Sequence, residues 1–220
     1  MADASRAISL YPFRMRVARL APSGAPLVGQ DNLYVTESFV RVDYELQFSE
    51  TDAVQKPNGR GDLCLNIPAR RKLIGVNLTV EICDDDPMLA EMLGGGSVLT
   101  EGAGADVVGY QLPKGDAPEG DGVSIEVWTE AWSGSSKVAD RPFMWYPFPR
   151  CKLQHGSRSL SAEPDEKLFD GTGSENPGWS SGPAGDWAHD SGAAMQWVRT
   201  GVEPPAVTNG YAPIVAPSNP

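Results

Sequence analysis

The chain has little of what catalysis and metal binding usually draw on. Its 220 residues include two histidines, His155 and His189, far apart and each beside Gly or Ser. That spacing argues against a histidine-based metal cluster, and both read as surface loop residues. The three cysteines, Cys64, Cys83 and Cys151, are odd in number and include no CxxC pair. They indicate neither a zinc site nor a disulfide framework and read as buried thiols in a reducing compartment. No run approaches the roughly 18 apolar residues of a membrane helix, and the opening MADASRAISLYPFRMR lacks the apolar core of a signal peptide. Positive charge is also short: 18 Lys and Arg stand against 29 Asp and Glu, a net charge of −11. Tight nucleic-acid binding needs a basic patch, so this balance argues against it, while DNA passing a repellent wall remains compatible.

Motifs of catalysis are missing too. There is no GxSxG elbow, no GxGxxG between a strand and a helix, and no D-x-D-x-D-G calcium loop. Arg60-Gly61-Asp62, within KPNGRGD, reads as a turn between strands. With no convergent acid, base and nucleophile, the chain reads as a non-enzyme without cofactor or metal.

What the sequence does contain is alternation. From Ser38 to Phe48, Val40, Val42, Tyr44, Leu46 and Phe48 alternate with Arg41, Asp43, Glu45 and Gln47, which predicts a strand with a core face and a wet face. Leu63, Leu65 and Ile67 repeat the pattern. So do Ile74 to Ile82, with Val76, Leu78, Val80 and Ile82 inward, and then Val107 to Leu112. From Val123 to Trp132, Val123, Ile125, Val127, Thr129 and Ala131 share one side. Ser124, Glu126, Trp128, Glu130 and Trp132 share the other, and a face mixing tryptophans with glutamates does not read as simple core.

One short helix interrupts the strands. Asp84, Asp85 and Asp86 supply a cap and first-turn negative charge, Pro87 suits an early helical position, and Met88, Leu89, Met92 and Leu93 form one apolar face before three glycines end it. FMWYPFPRCKL, Phe143 to Leu153, reads as an edge strand or bend because Pro147 and Pro149 remove ladder donors. Phe169, Trp179, Trp187 and Trp197 lie in Gly, Ser and Pro-rich sequence, where large aromatics anchor loops or meet another chain. Leu112 to Gly122 reads as a long hairpin loop and the Pro-rich tail from Glu203 as an extended arm. The fold class expected is mainly β, a sandwich or barrel flanked by one short helix. Residues 1–30 form an arm and first strand, 31–200 the β domain, and 201–220 a Pro-rich extension.

Four stretches in this order carry a family likeness: VNLTVEICDDDPMLAEMLGGG; VVGYQLP, a loop and GVSIEVWTEAW; FMWYPFPRCKL; and LFDGTGSENPGWSSGP. Spanning roughly Ile74 to Pro183, they resemble the major tail (tail tube) proteins of long-tailed, non-contractile bacteriophages of the siphophage type. The resemblance implies a structural virion protein, made in the host cytoplasm. Rings of six copies would stack into a hollow tail tube for genome delivery. Its partners would be copies of itself, the tape-measure, tail terminator and distal tail proteins, and DNA only in non-specific passage, with no membrane. It also implies that Ser49 to Gly61, Leu112 to Gly122 and the termini bridge subunits. The long Pro-rich tail departs from the simplest members.

An acidic lumen would repel phosphate at short range, and Asp43 with Glu45 and Glu126 with Glu130 are the candidates to line it. Trp128, Trp132, Trp145, Trp179 and Trp187 are the candidates for contacts between subunits. Two other readings stay open. One is a different ring-forming virion protein: a tail terminator, head-tail connector or decoration protein. The other is a carbohydrate-binding β-sandwich that stacks sugars on Trp128, Trp132, Trp179 and Trp187.

Overall fold

The computed structural model describes residues 7–27, 29, 31–60, 63–102, 106–115, 120–157, 167–183, 190 and 192–208. Thirteen strands and one helix follow in the order β1 (Ile8–Arg19), β2 (Leu33–Thr36), β3 (Phe39–Thr51), β4 (Val54–Pro57), β5 (Leu63–Ile67), β6 (Arg70–Ile82), α1 (Pro87–Gly94), β7 (Ser97–Glu101), β8 (Asp106–Gln111), β9 (Val123–Ser133), β10 (Ser136–Lys137), β11 (Phe143–His155), β12 (Lys167–Ser174) and β13 (Val198–Thr200). The mainly β expectation with one short helix holds. Seven strands form an antiparallel path, β2-β1-β9-β11-β12-β6-β3, with β10 added to β9 and β13 to β11. Two small hairpins, β4-β5 and β7-β8, stand apart from this sheet.

The path is open, yet strongly curled. β2 and β3 lie at its two ends, six strand spacings apart, which in a flat sheet is about 29 Å at ~4.8 Å each. Only Glu37 and Ser38 separate them in sequence, and three Cα steps span about 11 Å at most. The sheet must therefore bend back on itself into a sandwich-like shell that is not closed into a barrel. Inside lies one core built from Met15 and Val17 of β1, Val76, Leu78, Val80 and Ile82 of β6, Ile125 and Val127 of β9, Phe148 of β11 and Phe169 of β12.

The helix plugs one end of this shell. Asp86 caps it by accepting from the Met88 and Leu89 amides, Pro87 opens it, and Gly95 at φ 72° ends it. Leu89, Ala90, Met92 and Leu93 are buried, each large side chain contributing about 1.5–3 kcal/mol by leaving water. Asp86 also accepts from the Tyr34 hydroxyl, and Glu91 pairs with Arg19 at 3.3 Å, tying the helix to β2 and β1. Asp85 is bound by Lys167 at 2.9 Å.

Several sequence expectations need correction. β11 is not an edge: β9 pairs along one side, while β13 pairs with Phe143 to Trp145 and β12 with Arg150 to His155 on the other. Pro147 and Pro149 fall between those two partners, where the ladder to β9 also shifts register between Phe148 and Cys151. The missing amides are needed least at that gap, and Asn176 fills it by donating to the carbonyls of Pro149 and Gly24, both at 2.8 Å. Cys64 and Cys83 are exposed and only Cys151 is buried, where desolvation pushes its thiol well up. His155 ends β11 rather than lying in a loop, packed at 4.8 Å on Phe169 and hydrogen-bonded to Tyr110 at 2.6 Å. His189, Gly61 and Asp62 fall outside the described residues. Leu112 to Gly122 joins strands of separate sheets, so it is no hairpin loop.

The first strand belongs to the sheet, with Met15 and Val17 fully buried between β2 and β9. The described part of the C-terminal segment is not a free arm either. Thr208 exchanges hydrogen bonds with the Val35 backbone, and Arg14 donates to the Pro205 carbonyl.

Candidate interaction surface

Both faces of β9 turn out to be covered, which decides several of the candidate residues. Glu126 is 0% exposed and accepts from Arg16 of β1 at 2.5 and 2.9 Å and from the Trp145 indole at 3.0 Å. Arg16 lies 5.4 Å from the Trp128 ring, and Trp128, Trp145 and Trp179 form a second apolar cluster with Phe13 and Phe143. A lumen-lining role for Glu126 is thereby corrected: a carboxylate sealed against an arginine meets neither solvent nor DNA. The same burial removes Trp128, Trp145 and Trp179 from the surface, as subunit contacts and as sugar platforms alike. Residues 175–183 make the lid, held by Asn176 and by the close approach of Gly178 to Ser23 and Gly24.

Glu130 and Trp132 sit at the far end of β9. Glu130 accepts from Lys137 and from the Trp132 indole at 2.9 Å, and the Lys137 hydrogen bond, foremost, holds its carboxyl below the usual range. Trp132 meets Tyr11 edge-on at 6.5 Å. Trp187 lies outside the described residues.

Asp43 and Glu45 are exposed on β3, on the face away from the core. Register places Asp43 opposite Thr79 and Thr79 opposite Asp170, with Glu45 opposite Asn77 and Asn77 opposite Thr172. Asp170 accepts from the Thr79 hydroxyl at 2.7 Å, so a third carboxylate joins the same polar face. The sequence reading missed it because LFDGTGS alternates too weakly to mark as a strand.

An apolar surface lies uncovered along β3 and its extension. β3 ends the strand path, so one of its edges has no neighbour among the described strands. Of its expected core face, Val42 packs partly buried against the core, while Val40, Tyr44, Leu46 and Phe48 are exposed because the shell is open along this seam. β3 and β6 then run on together past the end of β12, pairing as far as Thr51 with Arg70, and carry the β4-β5 hairpin beyond. Every residue of β4, of β5 and of β6 up to Ile74 is exposed, including Leu63 at 55% and Ile74 at 56%. The described part of the expected loop, Ser49 to Arg60, thus belongs to a structured arm. A two-stranded ribbon on its own is marginal in water, and apolar side chains left uncovered along it mark a contact surface.

Between α1, β8 and β12 lies a cleft of about 630 Å³ lined by Tyr110, His155, Lys167 and Asp85. Burial, followed by the nearby Glu91 charge, pushes the Tyr110 phenol up to about 12. These groups are engaged with one another, through the Tyr110–His155 and Lys167–Asp85 bonds. Among the described residues, no group of three or more His, Cys, Asp or Glu is placed to hold a metal, and no helix is long and apolar enough to cross a membrane.

No family model matches this chain, and no curated protein matches its sequence. Among solved structures it is similar to the cap that terminates the tube of the anti-feeding prophage, at 12% identity and a TM-score of 0.33, covering 91% of this chain and 100% of that one. A likeness of that size decides neither the fold nor the function.

Proposed function

We propose that this chain is a non-catalytic structural protein that assembles with copies of itself into stacked rings, as the tail tube of a long-tailed phage. The observation that carries the reading is the open seam at β3 together with its arm. A strand edge without a neighbour among the described strands and a row of exposed apolar side chains belong to the same element. An uncovered strand edge is a template for pairing with another chain, and exposed apolar side chains along it favour a neighbour. An edge that meets a different surface of the next copy makes a heterologous contact, which closes into rings or propagates along an axis. The order of sequence stretches that resembles tail tube proteins supports the same reading. Asp43, Glu45 and Asp170 would then line the lumen, in place of Glu126.

The chain expressed alone, followed by electron microscopy and light scattering at several concentrations, tests this. Hollow tubes or stacked rings are expected. Single closed rings would point instead to a terminator or connector, and a monomer at every concentration would overturn self-assembly.

A further inference from the structure

Charge is segregated along the molecule. Residues 48–74, which form the arm, hold five of the 18 Lys and Arg (Lys56, Arg60, Arg70, Arg71 and Lys72) and only three of the 29 Asp and Glu. The arm is therefore net positive on a chain whose net charge is −11. Arg71 lies 3.8 Å from the Phe48 ring and 3.5 Å from Glu50, and the arm's cations stand among exposed Val54, Leu63, Leu65 and Ile67.

The β7-β8 hairpin is its counterpart. It too leaves large apolar side chains uncovered, Leu99, Val108 at 58% and Leu112 just beyond. Its charges are of one sign: Ser97 to Leu112 contains Glu101 and Asp106 and no Lys or Arg. The hairpin is fastened at its base, where the Tyr110 hydroxyl reaches the Gly95 carbonyl and His155.

These two surfaces lie at opposite ends of the shell. β6 starts in the arm at Arg70 and ends at Ile82, just before α1, from which β7-β8 follows. Thirteen extended residues span about 40 Å, so the arm and the base of the hairpin lie about that far apart in one chain. Each then needs a second copy, and opposite charge on matching apolar hairpins says which surface meets which.

We propose that the basic β3-β6 arm of one copy docks on the acidic, apolar β7-β8 hairpin of the next, head to tail. This deepens the self-assembly reading and rests on it. Such a contact joins unlike surfaces, so it repeats from copy to copy.

Three full-length variants test it: arm reversal (Arg70→Glu, Arg71→Glu, Lys72→Glu), hairpin reversal (Glu101→Arg, Asp106→Arg), and both together. Sedimentation velocity reads the assembled fraction and circular dichroism checks folding. Each reversal alone sets like charges face to face and is expected to lower the assembled fraction about tenfold or more, while the combined chain restores it. A second measurement does not depend on reversed charges. Native Cys64 is exposed on the arm and Cys83 is exposed elsewhere, so in a Cys83→Ser background Val108→Cys is expected to give an oxidant-dependent ladder of crosslinked copies that Cys64→Ser abolishes.

Assembly unchanged by either reversal, no recovery in the combined chain, or a ladder that survives Cys64→Ser would overturn the docking while leaving self-assembly standing. A wild-type chain that never assembles would overturn both.

Discussion

Arg16 and Glu126 meet across β1 and β9, 110 residues apart in sequence, and both are sealed from water. Their worth depends on staying paired, because a lone buried charge keeps its desolvation penalty and loses the attraction that offsets it. Glu126→Ala is therefore expected to cost about 3–5 kcal/mol in a thermal or urea denaturation, with Arg16 left uncompensated. Replacing both, Arg16→Met with Glu126→Leu, is expected to recover most of that loss. A double variant as unstable as the single one would show that the pair does more than cancel its own charge. In the sequence this glutamate looked wet, since it alternates with apolar residues and shares a face with Trp128 and Trp132. Nothing near it in the chain reveals the arginine or the covering Trp179.

Among the elements, the cap and apolar face of α1 were legible, as was β6 from Ile74 to Ile82, while its exposed start from Arg70 was not. An aspartate cap, an early proline, an apolar stripe and a terminal glycine are local signals, and they act over a few residues wherever the helix sits. β11 was misplaced because proline is read as a breaker of ladders, while here both prolines occupy a gap between two partner strands. β3 shows a different limit. Its alternation correctly predicts a two-faced strand, but alternation cannot say whether the core face finds a cover. The arm built on it is separable from the shell, since Thr51 pairs directly with Arg70. Deleting residues 52–69 and joining those two positions through an Asn-Gly turn is expected to leave the circular dichroism spectrum and melting temperature of the monomer nearly unchanged, while assembly is lost. Tubes from the shortened chain would show that the arm is dispensable.

For the whole molecule, the acidic balance bears on how the proposed assembly would treat DNA. If Asp43 and Glu45 face a channel, their repulsion acts on phosphate within about a screening length, ~10 Å at 0.1 M salt. Assemblies carrying Asp43→Lys and Glu45→Lys are expected to retain DNA in a low-salt binding assay, where wild-type assemblies release it. Equal release from both would place this face on the outside. The sequence by itself determined the class of fold, the helix and its caps, the inward face of β6 and the acidic net charge, because each depends on residue type and near-neighbour spacing alone. Tertiary structure alone decided that β9 is buried on both faces, that β2 and β3 sit at opposite edges of one curled sheet, and that the arm stands clear of the core. Those outcomes depend on which distant segments cover a surface, and burial is a property of the folded shell rather than of any stretch within it.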